Sequence, residues 1–403
     1  MAAVVELDAE AMVAGGDALA RAADGRIVFV TGALPGERVE AEVTEQRRDH
    51  LRATVLRVLS PSPDRTTPPC PHRLRGCGGC GWQHVRPEAQ PALKVGVVVD
   101  ALRRLGRVPQ PDVVAGPPLP AQAYRTTVRV AVDGDGRAAY RARASHDLLT
   151  VDSCLVAHPL LAELVADGRF AGASEVTLRC GARTGERLAL VTPSAAGVRL
   201  PDDVVVVGAD ELAAGRRAWF HEEVAGRQWR ISARSFAQAR PDGAEALIGA
   251  VAAALDGVGD GRLVDAYGGV GIFAGTVGRD RETTLIEWSS SAVADARHNL
   301  AGSPVRILRL DVDRWRPSAA AAVVCDPART GLGRRGVAAL AGAAAARLVL
   351  VSCDAAALGR DAALLARAGY RLDGTTVIDL FPHTPHLEAV SRFIRVAPGA
   401  EQL

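Results

Sequence analysis

The pattern of hydrophobic and polar positions divides this chain into three stretches. In the first, residues 1–60, short valine-rich runs alternate with glycine and proline, and strands are predicted at Arg26–Thr31, Arg38–Val43 and Arg52–Leu59. Runs of this length, separated by turn residues, favour a small β-barrel. The proline-rich segment 60–71 follows the third strand and is predicted to be a linker.

The second stretch combines one predicted helix with further strands. Apolar side chains between Leu93 and Leu105 are spaced for one helical face, which predicts a helix over residues 88–106. Residues 124–235 return to the alternation of half-buried strands, as in Thr126–Val132. This stretch is therefore expected to form a mixed α+β unit.

In the third stretch, helices and strands alternate. A helix is predicted at Ala244–Leu255, a strand at Arg262–Ala266, and then a glycine-rich turn that opens the next helix. Further strands are predicted at Thr284–Glu287, Val305–Leu310, Ala322–Cys325, Arg347–Val351 and Leu372–Leu380. Strands that alternate with helices imply an α/β fold with a doubly wound, largely parallel sheet.

Composition places the chain among ordinary globular proteins, with 48% hydrophobic and 23% charged residues. No apolar run approaches the roughly 20 residues that a membrane-spanning helix needs. The amino terminus begins acidic and lacks the basic-then-apolar layout of a secretory signal. We therefore expect a cytoplasmic protein without a membrane partner. In that setting the seven cysteines are expected to be ligands, nucleophiles or buried thiols.

The charge is unevenly distributed although the net charge is only +2. Residues 63–150 hold 13 basic and 7 acidic side chains, whereas residues 1–62 hold 7 basic and 10 acidic ones. Lys94 is the only lysine, so nearly every cation is an arginine fork suited to phosphate contacts. A GC-rich genome is the alternative explanation for this bias. The charge thus permits a nucleic-acid partner without requiring one.

A glycine-rich segment over residues 263–272 follows a predicted strand. Glycines let the backbone approach a ligand closely, and a helix amino terminus favours negative groups. Glu287 ends the next strand, where a carboxylate can accept ribose hydroxyls, and Asp311 could accept from an adenine amine. The alternative is a tight turn beside two surface acids.

Two further strand ends carry candidate chemistry. The segment 323–331 delivers Asp326 and Arg329 to the edge where open α/β sheets place their sites, although Asp before Pro also forms simple turns. The segment 348–354 delivers Cys353 to the end of the following strand. A thiolate suits attack on an electron-poor carbon and leaves easily afterwards. A buried structural thiol is the alternative.

The segment 379–388 clusters two histidines and a carboxylate after the last predicted strand. A partly desolvated Glu388 would have a raised pKa and is a candidate general base. His383 and His386 are candidates for orienting it or for binding substrate. Two histidines and one glutamate at this spacing are not a specific metal signature.

Four of the cysteines suggest a metal centre. Cys70, Cys77 and Cys80 lie close together with glycines between them, and Cys154 is distant. Such spacing suits a metal ion or an iron–sulfur cluster, and zinc remains open on spacing alone. Cys180 and Cys325 have no such neighbours and are expected to be structural.

Together these residues resemble the RNA 5-methyluridine methyltransferase family over nearly the whole chain. The resemblance implies an OB-like TRAM barrel that binds RNA at residues 1–62 and a central α+β domain with an iron–sulfur cluster at 63–234. It implies a Rossmann-like class I methyltransferase domain at 235–403. The motifs that carry it include Ser235–Gln238 (SFAQ), Ser352–Asp354 (SCD) and His386–Glu388 (HLE).

The resemblance also implies roles for individual residues. Cys353 is the implied nucleophile and Glu388 the implied base. The implied ligands of a [4Fe–4S] cluster are Cys70, Cys77, Cys80 and Cys154. The positions implied to bind S-adenosylmethionine are Gln238, Tyr267, Gly268, Glu287, Asp311 and Asp326.

The implied activity is methylation of carbon 5 of a uridine in RNA through a covalent bond between Cys353 and carbon 6. The tract Phe381–His386 favours 23S rRNA as the target, with tRNA as the alternative, and a monomer is expected. Two rival interpretations are a nitrogen methyltransferase of the same fold and an inactive RNA-binding iron–sulfur protein. The chain departs from the family pattern at Ala328, Arg240 and Asp354–Ala355, and in a first cysteine gap of six residues.

Overall fold

Five strands at the amino terminus close into a barrel in the order β1-β2-β3-β5-β4. The computed structural model describes residues 3–143, 145 and 147–396. The barrel strands are β1 (Val4–Met12), β2 (Ala18–Arg21), β3 (Ile27–Thr31), β4 (Arg38–Gln46) and β5 (His50–Ser60). The sequence predicted β3, β4 and β5 and missed the first two. Their inward positions are mainly alanine and their outward positions are often acidic, so the strand pattern is weak there.

The segment after the barrel contributes two helices and a short strand. These are α1 (Pro71–Leu74), α2 (Gln90–Arg104) and β6 (Val113–Ala115), with a 3₁₀ helix at Pro87–Ala89 before α2. The predicted helix over 88–106 is confirmed as α2. Its buried side chains include Val97, Val98 and Leu102.

The middle of the chain forms a six-stranded sheet in the order β14-β12-β11-β7-β8-β9. Its region comprises β7 (Thr127–Val132), β8 (Ala138–Arg141), β9 (Leu148–Thr150), α3 (Pro159–Asp167), β10 (Arg169–Phe170), β11 (Glu175–Cys180), β12 (Arg187–Thr192), β13 (Val198–Arg199), β14 (Val204–Gly208) and α4 (Ala209–Ala213). A hairpin of β15 (Trp219–Val224) and β16 (Arg227–Ser232) leads out of it. Leu161 and Leu164 of α3 pack with Leu178 of β11 in its core.

The carboxyl-terminal region forms an eight-stranded sheet in the order β19-β18-β17-β20-β21-β23-β22-β6. Its elements are α5 (Pro241–Leu255), β17 (Leu263–Ala266), β18 (Thr283–Glu287), α6 (Ser290–Asn299), β19 (Val305–Arg309), β20 (Ala322–Cys325), α7 (Gly333–Ala341), β21 (Arg347–Ser352), α8 (Ala355–Arg367), β22 (Tyr370–Ile378) and β23 (Glu388–Arg395). The five neighbouring strands β19, β18, β17, β20 and β21 are parallel, which confirms the prediction of a largely parallel sheet. No helix within the described ranges combines the length and apolar character needed to cross a membrane.

The edge of this sheet comes from far earlier in the chain. Strand β6 pairs in parallel with β22, and α2 lies against α8. The two helices approach closely, because a Cβ added at Gly359 would lie 2.6 Å from the Ala101 carbonyl oxygen. Residues 90–115 therefore pack as part of the carboxyl-terminal sheet region.

Two sequence expectations for this sheet were wrong. The glycine-rich segment after β17 forms successive turns and no regular helix, because glycine disfavours the helical conformation. Glu388 does not follow the last strand but begins it. Strand β23 was missed because it holds Ser391 and two arginines although it is largely buried.

Candidate active site

The carboxyl ends of four parallel strands meet at one edge of the sheet. Asp265 lies near the end of β17 and Glu287 ends β18, while Asp326 and Cys353 immediately follow β20 and β21. Strand β23 runs antiparallel between β21 and β22, and Ser352 is opposite Ala389 in the β21–β23 ladder. Cys353 directly follows Ser352 and Glu388 directly precedes Ala389, so both lie at this end of the ladder, where the charge of Glu388 contributes to a raised pKa of the Cys353 thiol.

The Cys353 thiol is half-buried between its strand and α8. The preceding ladder ends at Ser352, and Asp354 caps α8 by accepting a hydrogen bond from the Ala357 N–H at 2.8 Å. Burial raises the pKa of Cys353 to about 11, with smaller contributions from the charges of Glu388 and Asp326. The nearby Arg329 opposes this shift, and any further positive charge bound here would favour the thiolate.

Glu388 has the character expected of a base with a raised pKa. It is buried, and its Oε2 has no hydrogen-bond partner in the described structure. Burial raises the pKa of Glu388 well above its usual value, the nearby Asp326 raises it further, and Arg329 opposes the shift. When this carboxyl is ionised, its unpartnered oxygen can accept a proton from a bound substrate, and the raised pKa makes it a stronger base than an exposed glutamate.

Arg329 and His386 lie beside this pair. The Arg329 guanidinium is 2.7 Å from His386 Nδ1. Arginine only donates hydrogen bonds, so Nδ1 accepts and the neutral ring carries its proton on Nε2. His383 differs, because its buried ring nitrogens have no partner in the described structure and its φ is +66°. The structure thus brings His386, but not the ring of His383, into a contact at the site.

The turn after β17, residues 267–271, forms an open loop that we call the cradle. Tyr267 and Gly269 have φ values of +59° and +54°, and a Cβ added at Gly269 would meet nothing within 4 Å. Both oxygens of Glu287 accept backbone hydrogen bonds, from the Gly269 N–H at 3.1 Å and the Ser289 N–H at 2.7 Å. These contacts fix the acid against the glycine turn.

Asp265 is a buried acid that the sequence pattern did not assign to the site. Its Oδ2 accepts from the Ala274 N–H at 2.8 Å, while Oδ1 has no partner among the described residues. Burial raises the pKa of Asp265 to about 7, and the charges of Asp326 and Glu287 add to this shift. Its position near the end of β17 was the available signal. An acidic edge of this kind favours a cationic ligand.

The remaining predicted cofactor positions are Gly268, Asp311 and Gln238. Gly268 lies within the turn, and Asp311 is exposed just after β19. Gln238 is half-buried in a segment anchored to α6 by Ser235, whose Oγ donates to Asp295 at 2.6 Å. Trp288, which the sequence pattern did not single out, directly follows Glu287 and is 67% exposed.

The four predicted cluster ligands line one cavity. Its lining includes Cys70, Cys77, Cys80 and Cys154. The last of these is 74 residues beyond Cys80 in the chain. Burial raises the pKa of Cys80 to about 11. Within the described residues, no group of three or more His, Cys, Asp or Glu side chains is arranged to hold a single metal ion. Cys180 and Cys325 are buried elsewhere, as expected of structural thiols.

Comparisons with known proteins agree with this architecture. The TRAM domain model matches residues 5–56. A Streptomyces avermitilis protein named as an uncharacterized RNA methyltransferase is 36% identical over 419 residues and is covered to 96%, as is this chain. The 23S rRNA (uracil(1939)-C(5))-methyltransferase of Chromohalobacter salexigens is 33% identical, with 97% of this chain and 90% of that one covered.

A solved structure shares the whole fold. The tRNA (uracil-54, C5)-methyltransferase of Pyrococcus abyssi, in complex with S-adenosyl-L-homocysteine, superposes with a TM-score of 0.72 at 21% identity, covering 96% of this chain and 100% of that one. The open sheet and its acidic carboxyl edge therefore define a class I methyltransferase fold behind a TRAM barrel. With relatives at 33% and 36% identity over nearly its full length, the chain belongs to the RNA 5-methyluridine methyltransferase family.

Proposed function

We propose that this enzyme methylates carbon 5 of a uridine in RNA by way of a covalent bond between Cys353 and carbon 6 of the base. The observation that carries the proposal is the pairing of β21 with β23, which brings the half-buried thiol of Cys353 and the buried carboxyl of Glu388 to the same end of one ladder. Carbons 5 and 6 of uracil are directly bonded. A nucleophile that attacks carbon 6 and a base that removes the proton from carbon 5 must therefore lie close together, as the ends of two adjacent strands allow.

The proposed chemistry balances on these two side chains. The Cys353 thiolate adds to carbon 6, so an S–C6 bond forms and the ring electrons move to give an enolate. Carbon 5 then takes the methyl group from the sulfonium, with S-adenosylhomocysteine as the leaving product. Glu388 accepts the proton from carbon 5, the S–C6 bond breaks, and the thiolate is regenerated.

The residues of the cradle suit S-adenosylmethionine, which carries a sulfonium and an ammonium group. Asp265 offers an unpartnered buried oxygen, and Glu287 is fixed at the end of β18, where it would accept from the ribose. Asp311, Gln238 and Asp326 complete the proposed cofactor contacts. The Asp326 pKa is raised to about 7 by burial, so a bound cation would favour its charged form.

The four-cysteine cavity suits a [4Fe–4S] cluster better than one zinc ion. Zinc needs its ligands within about 2.3 Å of one point, whereas each thiolate of a cluster binds a different iron. The cavity also contains Arg73 and Arg125, and the buried Nε of Arg125 has no hydrogen-bond partner in the described structure. Two arginines would offset the negative charge of a cluster with four thiolates. Since the chemistry above transfers no electrons, we assign the cluster a structural role.

Replacing Cys154 by serine is expected to remove most bound iron. The cluster would lose one of its four ligands, the one contributed from outside the 70–80 segment. Metal analysis of anaerobically purified protein should give about four iron ions per wild-type chain. Cys180→Ala, which alters a buried thiol away from the cavity, should retain them. One zinc ion per chain in the wild type, with no iron, would contradict the assignment.

The RNA target proposed is 23S rRNA, with tRNA as the alternative. The TRAM barrel supplies an RNA-binding module, and the relative from Chromohalobacter, named for 23S rRNA, aligns over almost the whole chain. The base must leave its stack to reach the buried thiol. The deciding experiment is mass spectrometric mapping of 5-methyluridine in rRNA and tRNA from cells with and without the gene. Loss of one 23S rRNA site is expected; no lost site in any RNA would overturn the proposal.

A further inference from the structure

The loop that leads into Glu388 is held by residues outside its own sheet strands. We define the base loop as residues 379–387, between β22 and β23. At His383 the backbone N–H donates to Gln90 Oε1 at 2.6 Å, and the carbonyl oxygen accepts from the Trp82 N–H at 2.8 Å. Both partners come from the segment between the barrel and the central sheet. The base loop is thus positioned by a distant part of the chain.

The single lysine makes the most buried of these links. Lys94 on α2 is fully buried, and its Nζ donates to Asp379 Oδ1 at 2.5 Å and to the Phe381 carbonyl oxygen at 3.2 Å. The Tyr124 hydroxyl adds a bond to the Pro382 carbonyl oxygen at 3.0 Å. Groups from the segment 82–124 therefore hold the base loop at every position from 379 to 383 except Leu380.

The chemistry of lysine explains its use at this one place. All other members of the set of 48 Lys and Arg residues are arginine. An ammonium is a compact point charge with three donors, whereas a planar guanidinium brings five N–H groups that a closed pocket must satisfy. The Lys94 ammonium also lies 5.8 Å from the Trp82 ring. A small cation between Asp379 and Trp82 therefore leaves fewer N–H groups to satisfy in this closed pocket than arginine would.

The base loop needs such support. His383 is a non-glycine residue with φ of +66°, a conformation that persists only where its surroundings enforce it. The barrel also packs closely against the base loop, since a Cβ added at Gly16 would lie 2.6 Å from Pro385 Cβ. The Trp82 indole donates to the Gly16 carbonyl oxygen at 3.0 Å, which ties the same contact to the cysteine-bearing segment.

We propose that Lys94 is a positioning residue for Glu388, because its ammonium seats Asp379 and Phe381 and thereby sets the path of the base loop. The proposal rests on the proposed function, in which Glu388 removes the carbon 5 proton. Cys353 immediately follows β21, and the hydrogen bonds from Lys94 to Asp379 and to the Phe381 carbonyl oxygen do not involve it. Releasing the loop therefore slows proton removal while attack by Cys353 and methyl transfer continue.

The test is the fate of the covalent intermediate. Lys94→Met should lower kcat by roughly 10²-fold, the loss typical of a displaced catalytic group. Its KM for S-adenosylmethionine should change little, because the cradle lies elsewhere in the sheet. A covalent RNA–protein adduct should accumulate and be visible as a shifted band on denaturing gels. Asp379→Asn, which keeps the side-chain shape, should show the same adduct even if Lys94→Met folds poorly.

Arg187→Met is the matched control. Arg187 is another buried cation paired with carboxylates, Asp203 and Glu163, but it belongs to the central sheet. Its loss should lower stability without accumulation of the adduct. If Glu388→Gln fails to accumulate adduct, the assignment of Glu388 as the base in the proposed function fails. If Glu388→Gln accumulates it and both Lys94→Met and Asp379→Asn do not, only the role of Lys94 fails.

Chemical labelling gives a second readout. Because Lys94 is the sole lysine, N-hydroxysuccinimidyl acetate can modify only this amine and the chain amino terminus. Mass spectrometry of the native protein should show the terminus acetylated and Lys94 protected. Rapid acetylation of Lys94 in protein that retains its folded circular dichroism spectrum would overturn the proposal.

Discussion

Cys353→Ala protein is expected to bind S-adenosylmethionine with wild-type affinity and to transfer no detectable methyl group to RNA. The nucleophile initiates the sequence of bond changes, and removing such a group typically costs roughly 10⁴-fold or more in turnover. Carbon 5 of uracil stays unreactive unless carbon 6 first gains a bond. Single-turnover transfer of radiolabelled methyl, with calorimetric titration of the cofactor, measures both quantities.

Two comparisons sharpen this experiment. Cys180→Ala removes a thiol that is buried in the central sheet and should turn over normally. Glu287→Gln should show the reverse defect, with weakened cofactor binding and an intact thiol that still forms an adduct with RNA containing 5-fluorouridine once cofactor is saturating. Wild-type turnover by Cys353→Ala would rule out the covalent route.

Glu388→Gln is expected to stall after methyl transfer, with the RNA still joined to Cys353. The amide retains the shape of the carboxyl but cannot accept the carbon 5 proton, and general bases of this kind contribute about 10²–10⁴-fold. Elimination needs that proton to leave, so the S–C6 bond persists. Mass spectrometry of a nuclease digest should find the methylated nucleotide attached to the peptide that contains Cys353.

The matched control for this variant is Glu222→Gln. Glu222 is also buried, and burial raises the pKa of its carboxyl, but it lies on β15 and accepts the backbone N–H groups of Ala182 and Arg183. Its loss should destabilise the hairpin without trapping RNA. Full turnover by Glu388→Gln, with no trapped product, would mean that another group removes the proton.

The ends of β20 and β21 were predictable because each strand is a short, mainly apolar run. The run Ala322–Cys325 was predicted with its observed limits, and β21 with an error of one residue. This placed Asp326 and Cys353 at the same edge before any contact was known. Strand β23 was not predicted, because Ser391 and two arginines interrupt the hydrophobic pattern expected of a buried strand.

Long-range contacts lay beyond the reach of local patterns. Lys94 and Asp379 are separated by 285 positions, and the sequence around either residue gives no indication that the two are in contact. The contact of Arg329 with His386 is similar, since the two residues are 57 positions apart in the chain. Asp265 was missed for a different reason. It lies within β17, and the prediction of a ligand site considered only the glycines that follow this strand.

The pairing of β6 with β22 has a consequence for modularity. A fragment that begins at residue 235 would lack both β6 and α2, leaving the edge of β22 unpaired and the surface of α8 around Gly359 bare. Unpaired strand edges invite aggregation. A chimera that exchanges residues 235–403 between relatives must therefore also exchange residues 90–115. The exchanged structural unit is encoded by two separate pieces of the gene.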